Sequence, residues 1–367
     1  MTTRQPPPPT ARAWVDIDLD AVRRNATRLA EHTGTRLMPM LKADAYGLGA
    51  LDVARALAPL DPVGFGVATV SEGIALRDGG VTEMILVCPP ALADEYPAAA
   101  AAGLTMALGS ARELSAWRDA GGGAWHLGID TGMMRAGVRW DEVASVLPAL
   151  AAGPPAGAFT HFYSAEQGEA SMHAQESRFE HALAALGVRP AVLHTENSAA
   201  AARRPRSRWA FVRPGGFLYG VGSGSGALIH PEPVVSLRAR VTDLHRVDGG
   251  ESVSYDASWV ASTPRRIATV ALGYADGYRR AFSNRAQMLV RGCRAPVAGI
   301  VTMDMVMLDV THIACDVGDV VTALGTDGGE TIRIEELAAI AGCSAYEILT
   351  ALKLRVVRRH RGDGGAA

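Results

Sequence analysis

The chain has 367 residues, enough for one large domain or two ordinary ones with an ample core. A 48% hydrophobic and 20% charged composition describes a globular enzyme or binding protein, and 36 basic against 38 acidic residues give no electrostatic ground for a nucleic-acid or anionic-membrane partner. Cys88, Cys293, Cys315 and Cys343 lack CxxC or Cys/His spacing, which argues for buried thiols in a reducing cytoplasm rather than a disulfide framework.

The opening MTTRQPPPPTARA has no apolar core of signal-peptide length, and its four consecutive prolines predict a disordered or polyproline arm over residues 1–12. No apolar stretch reaches the roughly 20 residues that span a membrane, so a cytoplasmic location is expected. From Trp14 the pattern WVDIDLDAVRRNATRLAEH reads as a short alternating strand and then a helix, which Asp18 or Asp20 could cap, with Val22, Ala26 and Leu29 on one face. Arg36 to Leu41 (RLMPML) reads as a strand ending at Lys42, and Ala50 to Leu60 as a helix. Apolar runs then recur at a regular beat at 64–70, 83–88, 104–108, 124–129, 156–162, 191–194 and 210–213, with helical stretches such as 71–78, 111–120 and 172–186 between them. With the lysine strand this makes eight β/α units and predicts a (β/α)8 TIM-like barrel.

Past Gly220 the style changes to strand-like runs at 234–247, 251–260, 266–272, 287–301 and 306–310, with little helix before 334–349. The division expected is a barrel over residues 13–233, its first strand joining the following domain, and a mostly β domain over 234–367. The polar tail 358–367 is expected to fray.

Barrel enzymes carry their reactive groups at the C-terminal ends of the strands. Lys42, Asp130, Arg135, His161, His194, Ser198 and Arg213 all follow predicted strands. A lysine at a buried strand end is costly without chemistry or a counter-charge, and lysine is the side chain that forms Schiff bases. Asn197-Ser198 opens a short helix, where a serine either caps the helix or helps to bind an anion such as phosphate. Arg213-Pro214-Gly215-Gly216 is either a turn or a second side of that phosphate cup. His161 and His194 read equally as core or site residues, and neither has metal-ligand spacing, so no metal site is expected.

In order, the chain carries KADAYG, DTGMMRAGV, THF, HTENSAA, VRPG, VSYDASW, LGYADGY and MDM. Together these motifs resemble those of the alanine racemase family from about Trp14 to Arg359. The resemblance implies a homodimer with shared active sites, using pyridoxal 5′-phosphate (PLP). Lys42 would anchor PLP covalently; Tyr46, Ser198, Gly215 and Gly216 would hold its phosphate, and Arg213 would face its ring nitrogen. Tyr255 of the partner subunit would stand opposite Lys42, tuned by His161, Arg213 and His194. Arg135 would contact the substrate carboxylate, and Met303, Asp304 and Tyr274 would line the entry. Lys42 and Tyr255 would then act as a two-base pair interconverting L- and D-alanine, with D-alanine feeding cell-wall peptidoglycan.

Three positions depart from the family pattern. Gly128 stands where a lysine that forms a carbamate is common, so Arg135 would be held by another group, a bound anion or water. Leu354 replaces a tyrosine that touches the phosphate and borders the substrate side chain. Leu48 and Phe162-Tyr163 alter the surroundings of Lys42 and His161. These changes leave open a racemase of serine or of a biosynthetic amino acid. A non-catalytic PLP-binding protein is the alternative from another class.

Overall fold

A computed structural model describes residues 11–151, 153–187 and 189–362. The expected proline-rich arm lies outside these residues except for Ala11 and Arg12, as does the end of the tail from residue 363. The described chain forms two compact units. One runs from Asp20 to Glu232, and the other combines the residues up to Leu19 with those from Pro233 onward.

The first unit holds β1 (Arg36–Leu37), β2 (Gly64–Val67), β3 (Met84–Val87), β4 (Thr105–Leu108), β5 (Trp125–Asp130), β6 (Gly157–Phe159), β7 (Val192–His194) and β8 (Phe211–Val212). Strands β2 to β7 pair in parallel in chain order, and β8 pairs in parallel with β1. Parallel bridges from Met40 to Gly66 and from Asn197 to Arg213 join the two sheets, so the eight strands close into a ring. Each strand overlaps one of the runs expected from the sequence, and β5 runs one residue past its run, to Asp130. The run at 36–41 is ladder-paired only at Arg36–Leu37, because Pro39 has no N–H to donate and the backbone changes hand after Lys42. Met38, Leu86 and Phe211, all buried, pack together as part of the filling.

Two helices of this unit support the loops at the C-terminal ends of its strands. Val70–Asp78 begins at a capping box in which Thr69 and Glu72 exchange side-chain and backbone hydrogen bonds. Glu169–Ala185 buries Met172, Gln175, Glu176, Phe179, Ala182 and Leu183.

The second unit is built on a nine-stranded sheet. Ala13–Asp18 lies between Val235–Val247, to which it is antiparallel, and Val357–Arg361, to which it is parallel. The tail is therefore a strand as far as Arg361 rather than a frayed end. The physical reason is Asp16: buried, it accepts from Arg238, Arg359 and Arg361 at 3.1, 2.7 and 2.8 Å, and from the Trp14 indole at 3.3 Å. Val320–Asp327, which was not expected, pairs with Val235–Val247 inside the sheet. The run at 251–260 is not one strand but a small hairpin, Ser252–Val253 with Trp259–Val260. Its turn holds Ser254, Asp256 and Ala257 at φ 72°, 59° and 46°. Among the described residues no helix is long and apolar enough to cross a membrane.

Candidate active site

Lys42 leaves β1 and the Met40 bridge directly into a left-handed turn. Ala43, Asp44, Ala45 and Tyr46 have φ of 53°, 54°, 51° and 58°, a conformation that L-residues avoid because Cβ crowds the carbonyl oxygen. The turn is held by its surroundings. Ala43 N donates to Glu72 Oε1 at 2.7 Å, Ala45 N to the Leu41 carbonyl at 2.7 Å, and Ala50 N to Asp44 Oδ1 at 2.7 Å. The result is a half-buried lysine with its ammonium over the Tyr46 ring, 5.9 Å from the centroid.

Tyr46 packs on Tyr219, ring centroids 4.9 Å apart, and the Tyr219 hydroxyl donates to the Met40 carbonyl at 2.8 Å. A Cβ at Gly215 would lie 2.3 Å from the Tyr46 hydroxyl, so only glycine admits this approach. The buried Ser198 Oγ accepts from Gly215 N at 2.9 Å and Phe217 N at 3.4 Å. With both contacts made as acceptor, its own proton is directed elsewhere. Tyr46, Ser198 and the Gly215-Gly216 backbone thus form one cradle.

Arg213 is buried. Its Nη1 donates to His194 Nδ1 at 2.6 Å, and its Nη2 to the carbonyls of Thr160 at 2.8 Å and Thr195 at 3.0 Å, with His161 Nδ1 at 3.5 Å. None of these partners is anionic, and burial brings the guanidinium down to about 10, so it remains a cation at neutral pH. His194 lies between Phe159 and Phe211, with centroids at 5.0 and 4.3 Å, and its Nε2 meets His126 Nδ1 at 2.8 Å. Because Arg213 donates to Nδ1, the His194 proton sits on Nε2 and is donated to His126, which must then carry its own proton on Nε2. Burial and the Arg213 charge push His126 down to about 4 and His194 well below the usual range. His161 is pushed down to about 3 by burial and by the charges of Arg213, Arg135 and Lys42. The histidines are therefore neutral hydrogen-bonding groups.

Arg135 lies on the exposed loop between β5 and Val138, which pairs with Ile129. Cys88, at the end of β3, is raised by burial and opposed by the charges of Arg213, Lys42 and Arg135. The four basic and thiol groups are thus within electrostatic reach at the C-terminal end of the strands. Gly128 faces Phe159 across the ladder, and a Cβ there would lie 3.5 Å from the Phe159 ring. That ring packs against Gly128, and the Arg213 guanidinium stands over it at 5.3 Å.

The remaining expected residues lie in the other unit. Tyr255 is on the hairpin turn and 68% exposed. Tyr274 N donates to the Thr302 carbonyl at 3.0 Å, so it lies beside the turn that carries Met303 and Asp304, and Tyr274 and Met303 are both exposed. Arg355 clamps this region, binding the buried Asp276 at 2.6 and 3.0 Å and Asp304 at 2.9 Å.

Residues 17–223 match the family description "Alanine racemase, N-terminal domain", and residues 234–360 match "Alanine racemase, C-terminal domain". The chain belongs to the alanine racemase family. An alanine racemase of Symbiobacterium thermophilum is 37% identical over 366 residues, covering 95% of this chain and 97% of that protein. The crystal structure of the Bacillus anthracis alanine racemase with bound L-Ala-P superposes with a TM-score of 0.90 at 30% identity, covering 98% of this chain and 97% of the other. That of the Bartonella henselae alanine racemase, with covalently bound pyridoxal phosphate, gives 0.87 at 27% identity over 96% of this chain and all (100%) of the other. As a member of the alanine racemase family the chain is an isomerase, an amino-acid racemase.

Several residues that shape this racemase site carry little or no signal in the sequence. Glu72 is readable as the last position of a Thr69-x-x-Glu72 capping box, although the box does not tell that Glu72 also holds Ala43. His126 and Gln175 carry no local signal, since each is defined by partners far away in sequence.

Proposed function

We propose that the chain interconverts L- and D-alanine with PLP as its cofactor, in the cytoplasm, as a homodimer in which each subunit completes the other's site. The observation that carries this reading is a lysine held on a left-handed turn beside a small anion cradle and a buried arginine with neutral partners. The residues fit PLP. Gly215 leaves room for the Tyr46 hydroxyl, the Ser198 proton is available to a phosphate, and Arg213, held through Nη1 and Nη2 by protein groups, would face the ring nitrogen. Lys42 would be the covalent anchor, with Tyr46, Ser198, Gly215 and Gly216 around the phosphate.

PLP would supply an electron sink for the charge that develops at Cα when its proton leaves. The protein's part is to move that proton. Lys42 takes or returns it on one face and Tyr255 of the partner subunit on the other, so each is base in one direction and acid in the other. A free tyrosine ionises near pH 10, so Tyr255 needs a cationic and hydrogen-bonding network beside it, in which Arg213 would be the cation and the neutral His161 a hydrogen-bonding group. Arg213 at the ring nitrogen would not readily give up a proton and would thus leave the ring neutral when PLP is bound. Arg135 would bind the substrate carboxylate, while Met303, Asp304 and Tyr274 line the entry. D-alanine for peptidoglycan is the product.

A second reading, racemisation of a bulkier or polar amino acid such as serine, rests on Leu354, which is 93% exposed. The deciding experiment incubates PLP-loaded protein with single L-amino acids in heavy water and reads chirality and Cα deuterium. Fastest D-alanine formation with deuterium at Cα is expected; faster turnover of another amino acid would transfer the assignment to it. Lys42→Ala should lose the covalent cofactor absorbance, and Tyr255→Phe should keep it while losing racemisation from the L side. Full activity in Tyr255→Phe would refute the two-base assignment.

A further inference from the structure

Helix Glu169–Ala185 supplies none of the groups assigned above, yet two of its side chains converge on the loop that carries Arg135. Gln175 is fully buried. Its Nε2 donates to Thr131 Oγ1 at 2.9 Å and to the His161 carbonyl at 3.0 Å, while its Oε1 accepts from Tyr163 N at 3.1 Å. The Thr131 hydroxyl also shares a 2.7 Å hydrogen bond with Thr160. Three residues further along the helix, Arg178 Nη1 donates to the Thr131 carbonyl at 2.8 Å, and its guanidinium lies 5.7 Å from the Trp140 ring centroid. One helix therefore grips both the hydroxyl and the carbonyl of Thr131.

Directly after Thr131, Gly132 N donates to Oδ1 of the buried Asp130 at 2.8 Å, and beyond that the loop is open. Gly132 and residues 134–137 are exposed, Met134 has a φ of 55°, and the next buried residue is Val138. Thr131 and Val138 are its two posts. Gly132 favours the absence of a side chain because its φ is 138°, and a Cβ there would also push on Arg178 Nη1 at 2.8 Å. Gly128 sends no side chain toward the loop from below. Support for Arg135 comes instead from behind, through Thr131.

We infer that Gln175 is a positioning residue that fixes where Arg135 stands, and with it the affinity for the substrate carboxylate. The inference rests on the proposed contact between Arg135 and that carboxylate. A side-chain amide suits the place because one nitrogen supplies both donors and the oxygen takes the Tyr163 amide. Glutamate would set an acceptor against the His161 carbonyl. Methionine would match the length but leave that carbonyl and the Tyr163 amide unpaired and withdraw the donor from Thr131 Oγ1, at a cost shared by the segment 161–163 and the loop that starts at Thr131.

The test uses PLP-loaded protein and two readouts. In Gln175→Met, amide exchange in the peptide 129–138 should quicken by about tenfold, the scale of one lost buried hydrogen bond. The peptide 198–217, which carries the cradle, should keep its wild-type exchange. The KM for L-alanine should rise by about tenfold with kcat changed by less than about twofold, the pattern of lost uniform binding. Arg178→Met, a half-buried position, should move both readouts the same way and covers the case in which Gln175→Met fails to fold. Arg135→Leu is the control and should raise KM further. Unchanged exchange at 129–138 in both helix variants, or an unchanged KM where Arg135→Leu raises it, would overturn the inference. If Arg135→Leu itself leaves KM unaltered, the carboxylate role of Arg135 fails, and the exchange data alone decide the tie.

Discussion

Replacing Glu72 with glutamine changes one atom and tests how the lysine is held. Glu72 Oε1 accepts from Ala43 N at 2.7 Å, while Oε2 accepts from Ala68 N at 2.8 Å and Thr69 N at 3.2 Å. A glutamine keeps one acceptor, and it will turn that oxygen to the side with two donors. Its NH2 then faces the N–H of Ala43, donor against donor. The capping box survives, but the one bond that reaches the left-handed turn is lost. A hydrogen bond to a charged group contributes about 1.5–3 kcal/mol net, and the four residues at positive φ cost about 1–2 kcal/mol each against a right-handed turn. Glu72 is partly exposed and water will replace some of the loss, so the lower part of the first range applies. A shift of about 1.5–2 kcal/mol is roughly a tenfold to thirtyfold loss in the population of the held turn. Titrating apoprotein with PLP and following the absorbance of the lysine-bound cofactor should therefore give an apparent affinity weaker by that factor. Glu72→Ala, which also removes the cap, should be weaker still and less stable to heat. Wild-type PLP affinity in Glu72→Gln would refute the claim that Glu72 holds the turn under Lys42.

Two further outcomes concern stability. Asp16→Asn removes the charge shared by Arg238, Arg359 and Arg361 and leaves three guanidinium groups facing one another, so the second unit should lose about 3–5 kcal/mol, seen as a lower urea midpoint with an unchanged unfolding slope for that transition. The buried His126 and His194 have folded pKa values below that of a free histidine, so the unfolded chain takes up protons first as pH falls. Stability should be flat above about pH 7 and fall below about pH 6.5, by about 1.4 kcal/mol per pH unit for each histidine down to its folded pKa. Urea midpoints at pH 7 and pH 5 measure this, and His126→Asn should shrink the difference.

The barrel was legible because each of its strands is a short apolar run closed by a helix, and periodicity reports that arrangement directly. The ends of elements were less so. The run at 36–41 looked like one strand, but the backbone turns left-handed after Lys42, and no residue among Ala43, Asp44, Ala45 and Tyr46 is a glycine that would have signalled it. Tyr255 reads as a strand residue by composition and sits instead on a turn in which Ser254, Asp256 and Ala257 are at positive φ, the first two with polar side chains suited to tight loops. At the site, Lys42, Tyr46, Ser198, Arg213, Gly215 and Gly216 came from motifs, and the geometry brings them together. Gln175 and His126 could not be found that way. Their partners Thr131 and His194 lie 44 and 68 residues away, and the parallel pairing of neighbouring strands brings them together.

The salt-bridged Asp16 has a consequence for the order in which the protein can be made. Its partner Arg359 lies 343 residues further along the chain. At about 5–20 residues per second, a ribosome needs roughly 20–70 s between releasing the first and delivering the second. The barrel segment, Asp20 to Glu232, is complete well before then. The strand Ala13–Asp18 must therefore wait with its hydrogen-bonding edges open while the barrel closes behind it. That interval is when the nascent chain is most exposed to strand-on-strand association, and when a chaperone or a second ribosome's product has its opportunity to pair with it.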